Sequence, residues 1–402
     1  MLSRRIKATI GLIMSPFIFV KKNRIAFVTK ASVPFAGNLR AIADCLLAHG
    51  GHEIVIYKDG PIDVAVREAL EAKGAIVLER YSLKNLAILL GAKAIFVSHS
   101  IRDAHIVSRK RGRNIINVWH GVAIKRIELL MEQSPGNILS ASRKKLILEN
   151  AKLYDRVLAC NARDRSIMAG AFGVHEKSVV TAGLPRMDYL HANAKLPADL
   201  QEQEEKLLSA AAGRKIVFYA PTFREAGISP FAILDSATVQ NISAVCNQFN
   251  LVFAMRSHPY DLTQFKKFMG MAGDAFLDCS TENIGEPALL LRNAGVLITD
   301  YSSIWVDFLL LDRPIIGLMH DLKQYERNER GFVNDIKQNF PGHVHIDWVS
   351  VLNDVVALAK INFAVQQLEN PDKLARIKND FLPAAGSDNY SQELLNQLRD
   401  LL

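Results

Sequence analysis

Strand-length apolar runs alternate with helix-length segments along most of this chain, and this alternation restricts the fold more than any other feature. The first series of runs is RIAFVT (24–29), HEIVIY (52–57), GAIVLE (74–79), KAIFVS (93–98) and NIINVW (114–119). Their apolar residues are consecutive rather than alternate, which is typical of strands covered on both faces. Such strands form parallel sheets whose connections are helices, so the sequence predicts an α/β fold.

A second series of apolar runs follows in the other half of the chain: KIVFYA (215–220), LVFAM (251–255), GVLIT (295–299) and PIIGL (314–318). A chain of 402 residues exceeds the roughly 250 to 300 residues that one core usually supports. We therefore expect two Rossmann-type domains with parallel sheets that face each other across a cleft. The polar stretch 191–205 separates the two series, so residues 23–190 are assigned to an N-terminal domain and 191–402 to a C-terminal domain.

The N-terminal segment, residues 1–22, is apolar in its centre and basic at both ends. Only 13 uncharged residues lie between Lys7 and Lys21, fewer than the roughly 20 that a membrane-spanning helix needs. The missing small-residue cleavage site argues against a signal peptide. The pattern indicates a segment that lies on an anionic membrane surface, and the alternative is a first helix packed on the core.

The net charge of +8 favours anionic partners such as nucleic acid, anionic lipid or a phosphate-bearing substrate. No nucleic-acid-binding signature accompanies this charge, so no nucleic acid partner is expected. The four cysteines are widely spaced, which indicates neither a zinc site nor a disulfide framework and fits a reducing, cytosolic setting.

Polar residues follow the apolar runs directly, at the points where ligands of open parallel sheets collect. They are His120 and Gly121, Thr222 and Arg224, Arg256 and His258, the cluster Asp300, Ser302 and Ser303, and, after a short strand near Val179, Arg186 and Asp188. Ser302 or Ser303 is expected to cap a helix that runs to about Leu311, whose first N–H groups attract an anion. A cap on a buried helix is the alternative, but the nearby cations favour a phosphate site.

His120 is the candidate general base. Gly121 permits a close backbone approach, and Lys125 adds positive charge one turn later. An imidazole of the first domain that faces a phosphate site of the second can take a proton from an attacking hydroxyl. The HVH stretch at His343–His345 has the spacing of a ligand pair without a third ligand in the sequence, so we interpret it as strand or loop and predict no metal site.

Five stretches, NVWHGVAIKRI, FYAPTFRE, RSHP, LITDYSS and RPIIGLMHDLKQYERNERGF, together resemble the CDP-glycerol glycerophosphotransferase family, which contains teichoic-acid and capsule polyol-phosphate transferases. The resemblance covers about residues 117–335. It implies a GT-B-like fold with an N-terminal acceptor domain and a C-terminal CDP-polyol donor domain. It also implies transfer of glycerol phosphate, or another polyol phosphate, from CDP-glycerol or CDP-ribitol to a lipid-linked saccharide or polyol-phosphate acceptor. The resemblance further implies that CMP is released and that the protein is peripheral at the cytoplasmic face of the membrane. It implies no cofactor.

The resemblance also implies roles for single residues. His120 and His258 match the catalytic histidines, Ser302 and Ser303 match phosphate-binding serines, and Thr222, Arg224 and Arg256 match donor or phosphate contacts. From their positions at strand ends or beside His120, Gly121 and Asp300 are expected as further donor or phosphate contacts, and Lys125, Arg186 and Asp188 as acceptor or secondary positions. Val122, Ala123 and Met187 depart from the family pattern, which leaves the acceptor and the polyol open. The alternative function is a GT-B glycosyltransferase that uses a nucleotide-sugar donor.

Overall fold

Two parallel β-sheets form the centres of two lobes in the computed structural model, which describes residues 3–135, 139–191, 193–224, 229–363, 370–384 and 388–402. The first sheet contains β1 (Lys21–Thr29), β2 (Glu53–Lys58), β3 (Ile76–Glu79), β4 (Ala92–Val97), β5 (Asn114–Asn117), β6 (Arg156–Ala159) and β7 (Val179–Thr181), in the order 3-2-1-4-5-6-7. The second contains β8 (Lys215–Ala220), β9 (Leu251–Met255), β10 (Phe276–Asp278), β11 (Ala294–Thr299), β12 (Ile315–Leu318) and β13 (His343–His345), in the order 10-9-8-11-12-13. All neighbouring strands are parallel, as the sequence predicts.

Helices cover both faces of each sheet. Those before the second sheet are α1 (Arg4–Met14), α2 (Gly37–His49), α3 (Val64–Ala72), α4 (Leu83–Leu90), α5 (Ala141–Ala151), α6 (Ala162–Phe172) and α7 (Ala198–Ala211). The later ones are α8 (Ser236–Phe249), α9 (Leu262–Met269), α10 (Pro287–Asn293), α11 (Ile304–Phe308), α12 (Leu322–Asn328), α13 (Ile336–Asn339), α14 (Trp348–Lys360), α15 (Pro371–Phe381) and α16 (Tyr390–Gln397).

Strand β1 shows why the runs are continuously apolar. Ile25 and Phe27 belong to one buried cluster, whereas Ala26 and Val28 belong to another on the opposite face of the sheet. Since successive side chains of a strand point to opposite faces, a strand with a core on each side has no position left for a polar residue.

The two lobes share one core and are joined by polar contacts. The cluster that contains Phe27 of the first lobe continues to Phe218 in the second. The Arg40 guanidinium on α2 donates two hydrogen bonds, 2.9 and 2.7 Å long, to the Asp199 carboxylate on α7. The backbone N–H of Gly37 donates to Glu286 at the start of α10, at 2.7 Å. These contacts hold the lobes in a defined relative position.

The C-terminal helices return to the first lobe. The Asp188 carboxylate accepts hydrogen bonds from the backbone N–H groups of Tyr390 and Ser391, at 2.6 and 3.0 Å, and thereby caps α16. The Asn114 amide on β5 donates to the Leu401 carbonyl at 2.6 Å. Helix α16 and the residues after it therefore pack on the first lobe, although the sequence analysis placed all of 191–402 in the second. Helix α15 contacts both lobes, since the Asn161 amide donates to the Asp380 carbonyl and Arg376 donates to the Gln338 carbonyl. We propose that the domain boundary follows Pro197, where α7 begins.

Helix α1 lies on the first lobe through one face. Ile10 and Met14 pack against a buried cluster of this lobe, and the Lys7 ammonium forms a buried ion pair with Asp59. The opposite face is exposed and carries the apolar residues Ile6, Leu12 and Ile13 beside Arg5 and Thr9. Within the described part of the chain, no helix is both long enough and apolar enough to cross a membrane.

Candidate functional site

His120 follows β5 and lies in the cleft between the lobes. Its Nδ1 is 3.0 Å from the Ser98 carbonyl oxygen. Because a carbonyl only accepts, Nδ1 carries the proton and Nε2 presents a lone pair. The ring keeps solvent contact in the cleft, but the surrounding walls desolvate it and lower the pKa of His120 to about 4. The imidazole is therefore neutral at pH 7 and suited to accept a proton.

A strained turn positions His120. The preceding residue, Trp119, has a φ of 44°, an uncommon value for a bulky side chain. The Asn117 side chain accepts from the Trp119 N–H at 2.9 Å, and the Asn38 amide donates to the Val118 and Trp119 carbonyls at 2.9 and 3.2 Å. Asn38 carries no sequence signal of this role, because it lies on α2, far from His120 along the chain.

His99 is a residue of this site that the sequence analysis missed. Its ring stacks on His120, with the centroids 4.4 Å apart and the planes 17° from parallel. Burial and, secondarily, the charges of His120 and Lys30 lower the pKa of His99 well below its ordinary value. A signal did exist, since His99 follows the apolar run of β4 just as His120 follows that of β5.

Gly121 is the point where the lobes meet beside His120. A Cβ atom at Gly121 would lie 2.8 Å from the Ser303 hydroxyl oxygen and 3.5 Å from Nη2 of Arg186. Arg186 also links the lobes, because Nη1 donates to the His120 carbonyl and Nη2 pairs with the Asp307 carboxylate on α11 at 2.7 Å. The structure therefore brings His120, Gly121, Arg186 and Ser303 together.

The second lobe contributes polar groups from three adjacent strand ends. Thr222 follows β8, and the flanking strands β9 and β11 lead to His258 and Ser302. The Thr222 hydroxyl is buried and has no hydrogen-bond partner among the described residues, so the protein leaves its hydrogen-bonding capacity unused. Ser302 makes only a 3.4 Å contact with the Ile304 N–H, and Ser303 forms no side-chain cap. The expected cap is therefore weak, whereas the helical region does end at Leu311 as predicted.

His258 is solvent-exposed at the end of β9. Its Nδ1 accepts from the Tyr260 N–H at 3.3 Å, and its ring stacks against Phe223 with the centroids 5.5 Å apart. The expected action of His258 at the donor phosphates stays a prediction.

Arg224 and Asp300 are bound to each other rather than open to a ligand. The Arg224 guanidinium pairs with Asp300 at 2.8 Å and with Asp321 at 2.7 Å, and it lies over the ring of Tyr301. Asp300 also accepts from the Thr222 N–H at 2.8 Å. Both side chains are buried. We therefore revise their expected donor contacts to a positioning role, in which they shape the loop that carries Thr222.

Arg256 and Asp188 also differ from expectation. The Arg256 guanidinium donates to the carbonyls of Cys279 and Ile284 at 3.0 and 2.6 Å, so it holds the loop before α10 instead of pointing to a phosphate. The Asp188 carboxylate is occupied as the cap of α16. The sequence could not reveal these partners, because they come from distant segments.

Lys125 supplies charge to the cleft together with Arg330, which the sequence analysis did not select. The backbone of Lys125 pairs with Phe332 of the second lobe. Burial and then the charge of Arg330 lower the pKa of Lys125 to about 8. Both cations also act on His120, whose pKa they help to lower.

The HVH stretch forms β13, in agreement with its interpretation as strand or loop. The fold also supplies a third potential ligand, Asp354 of α14, whose Oδ2 lies 3.0 Å from Nδ1 of His343 and 2.7 Å from Nε2 of His345. The expectation that His343 and His345 lack a third potential ligand is therefore wrong.

Comparison with known proteins extends this description. The family model described as CDP-Glycerol:Poly(glycerophosphate) glycerophosphotransferase matches residues 12–375. A teichoic acid poly(glycerol phosphate) polymerase of Bacillus spizizenii is 30% identical over 292 residues, which cover 70% of each chain. A teichoic acid ribitol-phosphate polymerase of Staphylococcus aureus is 29% identical over 338 residues, 82% of this chain and 56% of that one. The solved structure of the wall teichoic acid polymerase TagF matches with a TM-score of 0.79 at 18% identity, covering 99% of this chain and 93% of that one. Together with the two parallel-sheet lobes, this match confirms the predicted GT-B-like fold.

Proposed function

The chain belongs to the CDP-glycerol:poly(glycerophosphate) glycerophosphotransferase family, and from this membership we propose that it transfers a polyol phosphate from a CDP-activated polyol to an acceptor hydroxyl, releasing CMP. Membership identifies it as a glycerophosphotransferase-type enzyme of teichoic-acid-type polymer synthesis. The proposed donor is CDP-glycerol or CDP-ribitol, and the proposed acceptor is a lipid-linked saccharide or polyol phosphate.

One observation carries the proposal: the neutral imidazole of His120 lies where Gly121 meets Ser303 of the other lobe. The acceptor hydroxyl would attack the polyol-bearing phosphorus while Nε2 of His120 takes its proton. The new P–O bond forms as the bond to the CMP phosphate oxygen breaks, so CMP leaves with the electron pair. Lys125 and Arg330 would offset the negative charge that grows on the phosphate oxygens. Thr222, His258 and the two serines would donate hydrogen bonds to the same oxygens.

A donor screen tests this function. The protein is incubated with an acceptor and CDP-glycerol, CDP-ribitol or UDP-sugars, and the released nucleotide is quantified. CMP release from a CDP-polyol is the expected result. Release of UDP from a UDP-sugar, without CMP release, would support the alternative nucleotide-sugar glycosyltransferase instead.

The double variant Ser302→Ala, Ser303→Ala tests the donor site. Hydrogen bonds to charged groups contribute about 1.5–3 kcal/mol each. Because water partly replaces the two lost hydroxyls, we expect donor binding to weaken by roughly 10- to 100-fold. Calorimetric titration of CDP-glycerol measures the effect. Ser209→Ala, an exposed serine on α7, is the matched control and should bind the donor normally. An unchanged affinity in the double variant would remove the serines from the donor site.

We further propose that the N-terminal segment attaches the enzyme to the cytoplasmic face of an anionic membrane. Phe17 and Phe19 are each 84% exposed, and the exposed bases Arg5 and Lys22 flank them. Exposed aromatic residues beside basic ones are typical of a segment that inserts into the headgroup region.

Replacement of Phe17 and Phe19 by serine is expected to weaken binding to phosphatidylglycerol vesicles by about tenfold or more, since each buried aromatic side chain contributes about 1.5–3 kcal/mol. Vesicle co-sedimentation measures this loss. The control replaces two other exposed apolar residues, Ile346 (71% exposed) and Val349 (64% exposed) of the second lobe, by serine. Equal binding by the two double variants would contradict the proposed attachment.

A further inference from the structure

A cluster of two histidines and one aspartate lies on the edge strand of the second sheet, and the proposed transfer reaction does not use it. His343 and His345 are two residues apart on β13, so their side chains point to the same face. Asp354 projects from α14, which packs against this part of the sheet. Among the described residues, these three form a group whose ligand atoms all lie within 4.8 Å of one another.

We propose that His343, His345 and Asp354 bind a divalent transition-metal ion, with zinc as the best match. Two imidazole nitrogens and one carboxylate oxygen are a donor set typical of Zn²⁺, whereas Mg²⁺ and Ca²⁺ prefer oxygen ligands alone. A solvent water would complete a tetrahedral site. The ion would link β13 to α14 within the second lobe, and no step of the proposed phosphate transfer uses it.

The distances are close to those of a loaded site. Zinc–ligand bonds of about 2.0–2.2 Å at tetrahedral angles separate neighbouring ligand atoms by roughly 3.4 Å. The observed separations from Asp354 Oδ2 are 3.0 Å for His343 and 2.7 Å for His345, so the two histidine nitrogens would move outward by roughly 0.4 and 0.7 Å. The His343 side chain is 45% exposed and has room to move.

The orientation of the rings also suits one shared ion. The two imidazole planes are 87° apart, with centroids separated by 6.0 Å, so the rings do not stack and both direct a nitrogen to the same carboxylate oxygen. In the absence of metal, each of these nitrogens donates a hydrogen bond to that oxygen. A tautomeric shift in each ring moves the proton to its other nitrogen and leaves two lone pairs for the ion.

Rigid neighbours hold the three side chains in place. β13 pairs with β12 at both histidines, through Ile316↔His343 and Leu318↔His345. On α14, the residue after Asp354, Val355, is fully buried in the core of the lobe. A bound ion would therefore join the edge strand to the helix that covers it. Three-residue edge strands have few other restraints, so the ion is expected to stabilise this edge.

Metal content measures the proposal directly. The protein is stripped with a chelator, dialysed against Zn²⁺ and analysed by mass spectrometry for bound metal. We expect one zinc per chain in the unchanged protein and a rise in its melting temperature. Removal of a residue that only contacts a metal ligand lowers metal affinity by roughly 10- to 100-fold. Asp354→Asn and the double variant His343→Ala, His345→Ala remove ligands themselves, so each should lose more zinc affinity than that.

His175→Ala is the matched control, because His175 is an exposed histidine of the first lobe and lies outside the cluster. It should retain one zinc per chain. Binding of Co²⁺ to the unchanged protein gives a second readout that needs no variant, since a tetrahedral site produces intense visible absorption bands. Absence of bound zinc in the unchanged protein, absence of those bands, or equal zinc retention by the cluster variants would each overturn the proposal.

Discussion

Replacement of His120 by alanine is expected to reduce turnover by about 100-fold or more while donor affinity stays near that of the unchanged protein, because the variant loses only the group that accepts the acceptor's proton. Single-turnover measurement of CMP release separates the chemical step from binding. His175→Ala, which changes a histidine outside the cleft, should keep full activity. Near-native turnover in His120→Ala would show that another group acts as the base.

The pH profile of the unchanged enzyme gives an independent readout for the same residue. Desolvation by the cleft walls lowers the pKa of His120 to about 4, so its imidazole is unprotonated at neutral pH and becomes protonated only as the pH falls toward that value. We therefore expect kcat/KM, which reports on the free enzyme, to stay flat through the region near 6.5 where an ordinary histidine titrates. A fall in kcat/KM centred near 6.5 would contradict the desolvated environment of His120.

Replacement of Arg224 by leucine is expected to lower the free energy of unfolding by about 3–5 kcal/mol at pH 7, because it leaves the buried Asp300 and the partly buried Asp321 as neighbouring carboxylates without their cation. Urea unfolding followed by circular dichroism measures the loss. The control is Lys206→Leu, which breaks the exposed ion pair with Glu202 on α7 and should leave the unfolding curve nearly unchanged.

This experiment also discriminates between two roles of Arg224. A positioning role predicts a large loss of stability. A small loss of stability together with a large loss of donor affinity would instead restore the phosphate contact that the sequence resemblance implied. The two outcomes differ because a guanidinium that already pairs with two carboxylates has little positive charge left for a phosphate.

The sheets were predictable because their signal is local. β8 and β9 coincide with the predicted runs KIVFYA and LVFAM. β6 and β10 were not predicted, because they have only four and three residues and neither contains a long apolar run. The sequence also predicted that His120 belongs to the site, because it follows a strand and the carboxyl ends of parallel strands carry the ligand-binding residues of such sheets.

The sequence by itself determined which segments become buried strands and which polar residues follow them, because burial on both faces requires consecutive apolar side chains and leaves polar ones at the strand ends. Tertiary structure alone decided which of those polar residues remain available to a ligand. Arg224 and Arg256 are occupied by protein partners, whereas Thr222 is not, and Asp354 joins His343 and His345. The physical reason is that electrostatic and hydrogen-bond partners are set by distances through space, and these exist only after the segments have packed together.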